Sequence, residues 1–367
     1  MTTFEAHEDI HVLVLEPYYG GSHKSFLSGL RQLPFTFSFM TLPARKWKWR
    51  MRLAAPYYAR KLHNTGMRAD RILCSTFVDV AAFRGLAPSW VNDVPLLTYF
   101  HENQFAYPLQ VDDERDFHFA LTNMTTALAS DCLAFNSEYN LKSFLHGIEK
   151  LHKNSYDLKL DNPCNAVRGK SGVIAPGIDF SVIDTVEEPD SRGSPVILWN
   201  HRWEHDKNPD LFFNTLFDLD SRGIDYRLVV LGESFKEHPG VFDKAREKLA
   251  HRTLHFGYVK SRREYAKWLK QGDIVVSTAG HEFFGISVIE AVRAGCRPLL
   301  PKRLSYPELF PEEFLYDENA FAHRLKEEVL KRKGVSVNQI KKLTERFSWD
   351  TLSPVYREWI IHADANK

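Results

Sequence analysis

Apolar positions along this chain fall into short runs, each closed by a polar turn and followed by an amphipathic stretch: "IHVLVLE" (10–16), "RILCS" (71–75), "PLLTYF" (95–100) and "CLAFNS" (132–137). Runs of this length, β-branched or aromatic and separated by helical patterning, predict βαβ units in a parallel sheet. A second series follows in "PVILWN" (195–200), "YRLVVLG" (226–232), "TLHFG" (253–257), "DIVVS" (273–277) and "RPLLP" (297–301). Between the two, "TVEEPDSRGS" (185–194) is polar and rich in turn formers, which predicts an interdomain linker. The expected fold class is α/β: two doubly wound, Rossmann-like domains facing a cleft, the first over 1–184 and the second over 195–345. No apolar run reaches the roughly 18 residues of a bilayer-spanning helix.

Length fits this picture, since 367 residues exceed one compact core and suit two domains. Charge narrows the function. With 48 Lys or Arg against 47 Asp or Glu the net charge is +1, so any RNA-facing surface has to be a local patch. The four cysteines, Cys74, Cys132, Cys164 and Cys296, form no CxxC pair and no zinc or disulfide spacing, as in a reducing compartment. The opening "MTTFEAHED" lacks the basic-then-apolar order of a secretory signal, and a cytoplasmic location is expected.

Ligands of open α/β sheets bind beyond the carboxyl ends of the strands, which singles out four loops. In "EPYYGGSHKSF", Gly20 and Gly21 precede a helix opened by Ser22; they form either an ordinary turn or a close backbone approach to an anion. "TYFHENQF" puts His101, Glu102 and Asn103 at a strand end, suited to acid-base or sugar-hydroxyl contacts or to a structural histidine. "LWNHRWEHDKNPD" places Arg202 and Lys207 ahead of a helix, a natural diphosphate clamp; His201 and His205 have the four-residue spacing of helical metal ligands but sit on a strand-to-helix loop, where that spacing loses its meaning. "STAGHEFFGISVIEAVRAGCRPLLP" sets Glu282 before a helix, Gly285 and Ile286 in its first turn and Glu290 inside it. Carboxylates accept paired hydrogen bonds from vicinal hydroxyls, so two of them flanking a helix N-terminus suit a sugar nucleotide.

"PARKWKWRMR" (43–52) concentrates five basic side chains. As a strand it would put Lys46, Lys48, Arg50 and Arg52 on one face. As a helix, the favoured reading, it aligns Trp47, Met51, Ala55 and Tyr58 in an apolar stripe that Pro56 would interrupt. Both readings turn the tryptophans inward and leave the cations in solvent.

"HEFFGISVIEAVRAGCRPLL" resembles the E-x7-E motif of retaining GT-B glycosyltransferases of family 4, with Glu282 and Glu290 on its two carboxylates. The Arg202 to Lys207 spacing is similar to their diphosphate-binding pair. "APGIDF" (175–180) looks like their interdomain stretch, with Asn absent after Pro176, and "FSWD" (347–350) looks like the start of a C-terminal helix, 346–367, that crosses back to the first domain. "YYGGSHK", "LPARKWKWR", "YFHENQFAYP", "ERDFHFA", "HRWEHDKNP" and "VLGESF" together resemble the tRNA-queuosine mannosyltransferase family.

The resemblance implies retaining transfer of mannose from GDP-mannose to queuosine in the anticodon of an aspartate tRNA, without metal, cofactor, membrane or obligate protein partner. It implies a catalytic set of His101, Arg202, Lys207 and Glu282. Donor contacts would come from Gly20, Gly21, Gly257, Tyr258, Phe283, Gly285, Ile286 and Glu290 as well. Acceptor contacts would come from Ser22, His23, Glu102, Asn103 and the cations Lys46, Lys48, Arg50 and Arg52, with the tryptophans as scaffold. The alternatives are a GT-B enzyme acting on a lipid-linked or polysaccharide acceptor and a non-catalytic tRNA or nucleotide-sugar binder. A pure binder has no need of both carboxylates, the Arg/Lys pair and His101 together.

Overall fold

The computed structural model describes residues 10–107, 114–155, 157, 159–187, 193–234 and 238–364. The chain divides into two compact units, one running up to Ile178 and resuming at Trp349, the other spanning Asp179–Ser348. The boundary thus falls inside "APGIDF" and ahead of the expected linker, of which 188–192 lie outside the described residues. Asp184 explains the earlier boundary: its carboxylate accepts two 2.7 Å bonds from Arg293, which ties this segment to the second unit.

The first unit begins β1 (His11–Tyr19), α1 (Gly21–Leu30), β2 (Thr36–Pro43), α2 (Trp47–Thr65), β3 (Arg71–Ser75) and α3 (Val80–Leu86). It continues through β4 (Leu96–Phe100), α4 (Glu114–Ala129), β5 (Cys132–Phe135), α5 (Glu138–Asn154), α6 (Pro163–Arg168) and β6 (Ser171–Val173). All its strands are parallel, in the order β2-β1-β3-β4-β5-β6. Both faces of β1 are covered, as a doubly wound sheet requires. Leu13 and Leu15 pack with Ala54, Ala55 and Tyr58 of α2, while Val12 and Val14 pack with Phe26 and Leu30 of α1.

Helix α2 runs through Pro56 without a break. Proline there removes the bond to the Arg52 carbonyl and costs about 3 kcal/mol. Burial of Met51, Ala54, Ala55, Tyr58, Ala59 and Leu62 along one face offsets that loss, so the expected interruption does not occur.

The second unit opens with α7 (Ser181–Asp184), β7 (Val196–Asn200), α8 (Pro209–Ser221), β8 (Arg227–Leu231), α9 (Val241–Lys248) and β9 (Thr253–Gly257). There follow α10 (Arg262–Gln271), β10 (Ile274–Val276), α11 (Ile286–Arg293), β11 (Arg297–Pro301), α12 (Tyr306–Leu309), β12 (Leu315–Tyr316), α13 (Phe321–Lys331) and α14 (Val337–Thr344). Its parallel order is β12-β11-β10-β7-β8-β9, the dinucleotide-fold arrangement. The chain then forms α15 (Trp349–Ile361), whose Trp349, Leu352, Tyr356 and Ile360 join the core of the first unit beside Phe26 and Leu97. Gly177 makes room for this helix: a Cβ there would fall 2.4 Å from the Trp349 ring.

Candidate active site

In the second unit the strand order reverses between β7 and β10, and the loops leaving those two strands flank the opening where ligands of such sheets bind. They are the loops of Arg202–Lys207 and Glu282. Backbone bonds lace them together: Gly280 and His281 donate their N–H groups to the Asp206 carbonyl at 2.8 and 3.2 Å, and the Thr278 hydroxyl donates to the Lys207 carbonyl at 2.9 Å. The buried Lys207 ammonium donates to the His281 carbonyl at 2.7 Å and lies 3.0 Å from Asp206 and 3.4 Å from Glu282. Burial alone would lower its pKa, but Glu282 and Asp206 outweigh that and raise it. Lys207 therefore stays cationic in the interior. Burial opposes ionisation of Glu282 as well, and Lys207 overcomes it, so the carboxyl sits below its usual range. Burial, reinforced by Lys207, pushes His201 and His281 down to about 4 and keeps both neutral. Arg202 is half exposed and pairs with Glu204 at 3.1 Å, so it is the more accessible cation of the expected clamp.

Gly285 caps α11 at φ 101°, a left-handed conformation that favours glycine, and a Cβ would meet the Tyr306 ring at 3.1 Å. Ile286 follows as the first residue of α11, with no side chain capping the free N–H groups. The buried Glu290 accepts from Arg262 at 2.5 Å and from the Tyr265 hydroxyl at 2.7 Å. Asn200, at the end of β7, donates in turn to Tyr265 at 2.7 Å and to the Ser287 carbonyl at 3.0 Å. Both Glu290 oxygens are thus engaged, and a ribose diol would share the carboxylate with these partners. Phe283 is buried against His281, and Tyr258 beside Gly257 is exposed.

The first unit reverses its strand order between β1 and β3, and there it assembles a cluster that sequence reasoning saw only in part. His23, buried in α1, donates from Nδ1 to Glu16 at 2.9 Å and from Nε2 to Glu102 at 3.4 Å. Burial disfavours its charge, but the two carboxylates raise it to about 10. Thr76, just after β3, donates to the other Glu102 oxygen at 2.9 Å. His101 packs 4.1 Å from His23, ring centre to ring centre; burial and the neighbouring imidazolium hold its pKa well below the ordinary histidine value. His101 is therefore a neutral hydrogen-bonding group. Glu16, His23 and His101 offer donor atoms within 4.8 Å of one another, but His23 spends both ring nitrogens on carboxylates, as an ion-pair network does and a metal ligand does not.

Among the residues expected to contact the acceptor, His23 has both ring nitrogens on carboxylates, Glu16 and Glu102. Asn103 is fully buried; its amide donates to Asn140 and Ser143, and its oxygen accepts from the Ala106 N–H. Ser22 is exposed. Gly20 packs so closely that a Cβ would meet that of Ala44 at 2.5 Å, whereas Gly21 faces open space. Glu16 was missed, though one signal was present: it lies in phase with Val12 and Val14, on a face that must be buried.

Helix α2 splits the expected row of cations. Lys46 is its left-handed N-cap, and Lys48 and Arg52 fall on the side of the helix opposite Arg50. Lys48 lies over Trp47 and Arg52 over Phe119. The tryptophans also part ways: Trp47 packs 5.1 Å from Phe119, whereas Trp49 is 65% exposed, contrary to the expectation that both turn inward.

Two doubly wound units, with a Glu282–Glu290 pair around a helix N-terminus and an Arg/Lys loop at the adjoining strand end, define a GT-B glycosyltransferase. Solved structures of low identity share the fold: sucrose-phosphate synthase from Thermosynechococcus elongatus (TM-score 0.68, 13% identical, covering 98% of this chain and 100% of that one) and the catalytic domain of starch synthase IV from Arabidopsis thaliana (TM-score 0.69, 13%, 97% and 99%). Residues 11–178 match the model of the tRNA-queuosine alpha-mannosyltransferase N-terminal domain, and 184–338 match glycosyl transferases group 1. A tRNA-queuosine alpha-mannosyltransferase of Drosophila melanogaster is 37% identical over 328 residues, 86% of each chain. The chain belongs to the tRNA-queuosine alpha-mannosyltransferase family and is a hexosyltransferase. Among the described residues, no helix is long and apolar enough to cross a membrane.

Proposed function

We propose that this enzyme transfers mannose from GDP-mannose to queuosine in the anticodon of a tRNA, with retention at the anomeric carbon and in the cytoplasm. The observation that carries the reading is similarity to the Drosophila melanogaster enzyme of that name along 86% of both chains. Departure of GDP leaves an oxocarbenium-like sugar and places negative charge on the leaving phosphate oxygen. Arg202, Lys207 and the free N–H groups at the start of α11 would stabilise that charge without a metal. Glu282, anchored by Lys207, would orient mannose hydroxyls, and Glu290 would take the ribose diol. Gly20 and Gly21 would approach the diphosphate, while neutral His101 would bond a sugar hydroxyl. Phe283 would flank the sugar, and Gly257 and Tyr258 the base. Same-face attack, with the leaving oxygen taking the acceptor proton, accounts for retention most simply.

On the acceptor side, Glu102 would bond the cyclopentene diol, and Lys46, Lys48, Arg50 and Arg52, divided between two sides of α2, would contact tRNA phosphates, so binding weakens as salt rises. The test is incubation of the purified protein with GDP-mannose and tRNA that does or does not contain queuosine, followed by nucleoside mass spectrometry. A hexose mass shift confined to the queuosine-containing tRNA is the expected result. Transfer to lipid extracts with none to tRNA would replace this reading with a lipid-linked acceptor.

A further inference from the structure

Helix α2 is apolar on two sides. One side is buried, and on the other Trp49, Leu53 and Tyr57, spaced four residues apart, are 65%, 52% and 49% exposed. Exposed large side chains in such a row mark an interaction surface. The row begins at a pocket of about 310 Å³ lined by Arg45, Lys46, Trp49 and Arg50. Arg50, half-buried, brings its guanidinium to that lining beside the exposed Arg45 and Lys46. The charge around it is one-sided: residues 17–69 hold ten Lys or Arg and no Asp or Glu, in a chain whose net charge is +1. An aromatic plane beside a concave cluster of cations, within a segment lacking carboxylates, complements a nucleotide: a base for the plane, a phosphate for the guanidinium.

We propose that Trp49 and the Arg45–Lys46–Arg50 pocket form a nucleotide subsite, in which an unpaired base of the acceptor tRNA stacks on Trp49 while its phosphate is held by the three cations. The proposal rests on the tRNA reading above and extends it, because there α2 supplied charge alone. Tyr57 lies two helical turns further on, about 12 Å along the axis, and gives a second, non-adjacent base a surface to stack on. Aromatic stacking tolerates any base, so this subsite adds affinity for unpaired loop nucleotides without fixing their identity.

The test compares wild type with Trp49→Ala and Trp49→Phe, after circular dichroism confirms that both fold. Measurements are KM for queuosine-containing tRNA, KM for GDP-mannose, and anisotropy-detected binding of an anticodon stem-loop RNA. In Trp49→Ala the tRNA KM and the stem-loop Kd should both rise about 5- to 150-fold, with no matching rise in the KM for GDP-mannose, and Trp49→Phe should recover most of the loss. Unchanged stem-loop binding in Trp49→Ala overturns the subsite. If wild type mannosylates no tRNA but Trp49→Ala still weakens stem-loop binding, the proposed function falls and the subsite stands.

Discussion

At the carboxyl ends of their sheets, the first unit buries His23 between Glu16 and Glu102, and the second buries Lys207 between Asp206 and Glu282. Each arrangement holds two carboxylates in the interior by means of one cation. They differ in where that cation's charge originates. Lysine carries it intrinsically and reinforces the burial that keeps the neighbouring His201 and His281 neutral. His23 is charged because two carboxylates impose it, and it in turn helps keep His101 neutral. The first cluster is therefore sensitive to pH and to loss of a single carboxylate, whereas the second depends on one ammonium.

Removing a carboxylate from the first cluster should have the largest effect. Glu16→Gln leaves His23 buried with one partner, and breaking a buried pair costs about 3–5 kcal/mol; urea unfolding should show the loss, and an unchanged midpoint would mean Glu16 does not hold the cluster. Next is Lys207→Ala, expected to lower kcat about 10²- to 10³-fold, or about 2.7–4 kcal/mol of transition-state stabilisation. A folded variant with wild-type turnover would exclude Lys207 from catalysis. Gly285→Ala forces an alanine to φ 101° beside Tyr306, a strain of about 1–3 kcal/mol. It should raise the KM for GDP-mannose by shifting the start of α11, and an unaltered KM would dissociate that turn from donor binding.

The remaining prediction is a pH dependence. His23 is raised from 6.5 to about 10, so the stability it adds is complete below pH 6.5 and is lost as pH climbs towards 10. Urea midpoints of wild type and His23→Gln should converge over that window; parallel curves would mean His23 is not charged when folded. On the acid side the sign reverses. His201 and His281 must be neutral to remain buried, so their contribution falls as pH drops from 6.5 towards 4.

The same contrast governs how much of each site could be read before folding. Glu282, Gly285 and Glu290 lie on one loop and the helix after it, so their spacing carries their geometry. Arg202 and Lys207 share one loop for the same reason. Glu16, His23, Thr76 and Glu102 come from separate strands, helices and loops and meet only because β1, β3 and β4 lie side by side. The edge strands β2, β6 and β12 also escaped, since two are only three and two residues long and β2 buries little beyond Met40. Trp49 could have been placed sooner: residues two apart on a helix point about 200° from each other, so Trp47 and Trp49 cannot both face the core.

Chain order alone dictates two parallel α/β units, most of their central strands and the carboxylate pair around α11, because strand patterning and loop spacing are local. Packing dictates the rest: that His23 is a buried cation, that Asn103 hydrogen-bonds within its own surroundings, that α15 completes the first unit, and that Trp49 stands in solvent beside the pocket of Arg45, Lys46 and Arg50. Those features depend on which distant segments exclude water from a side chain, and burial of that kind is a property of neighbours in space rather than in sequence.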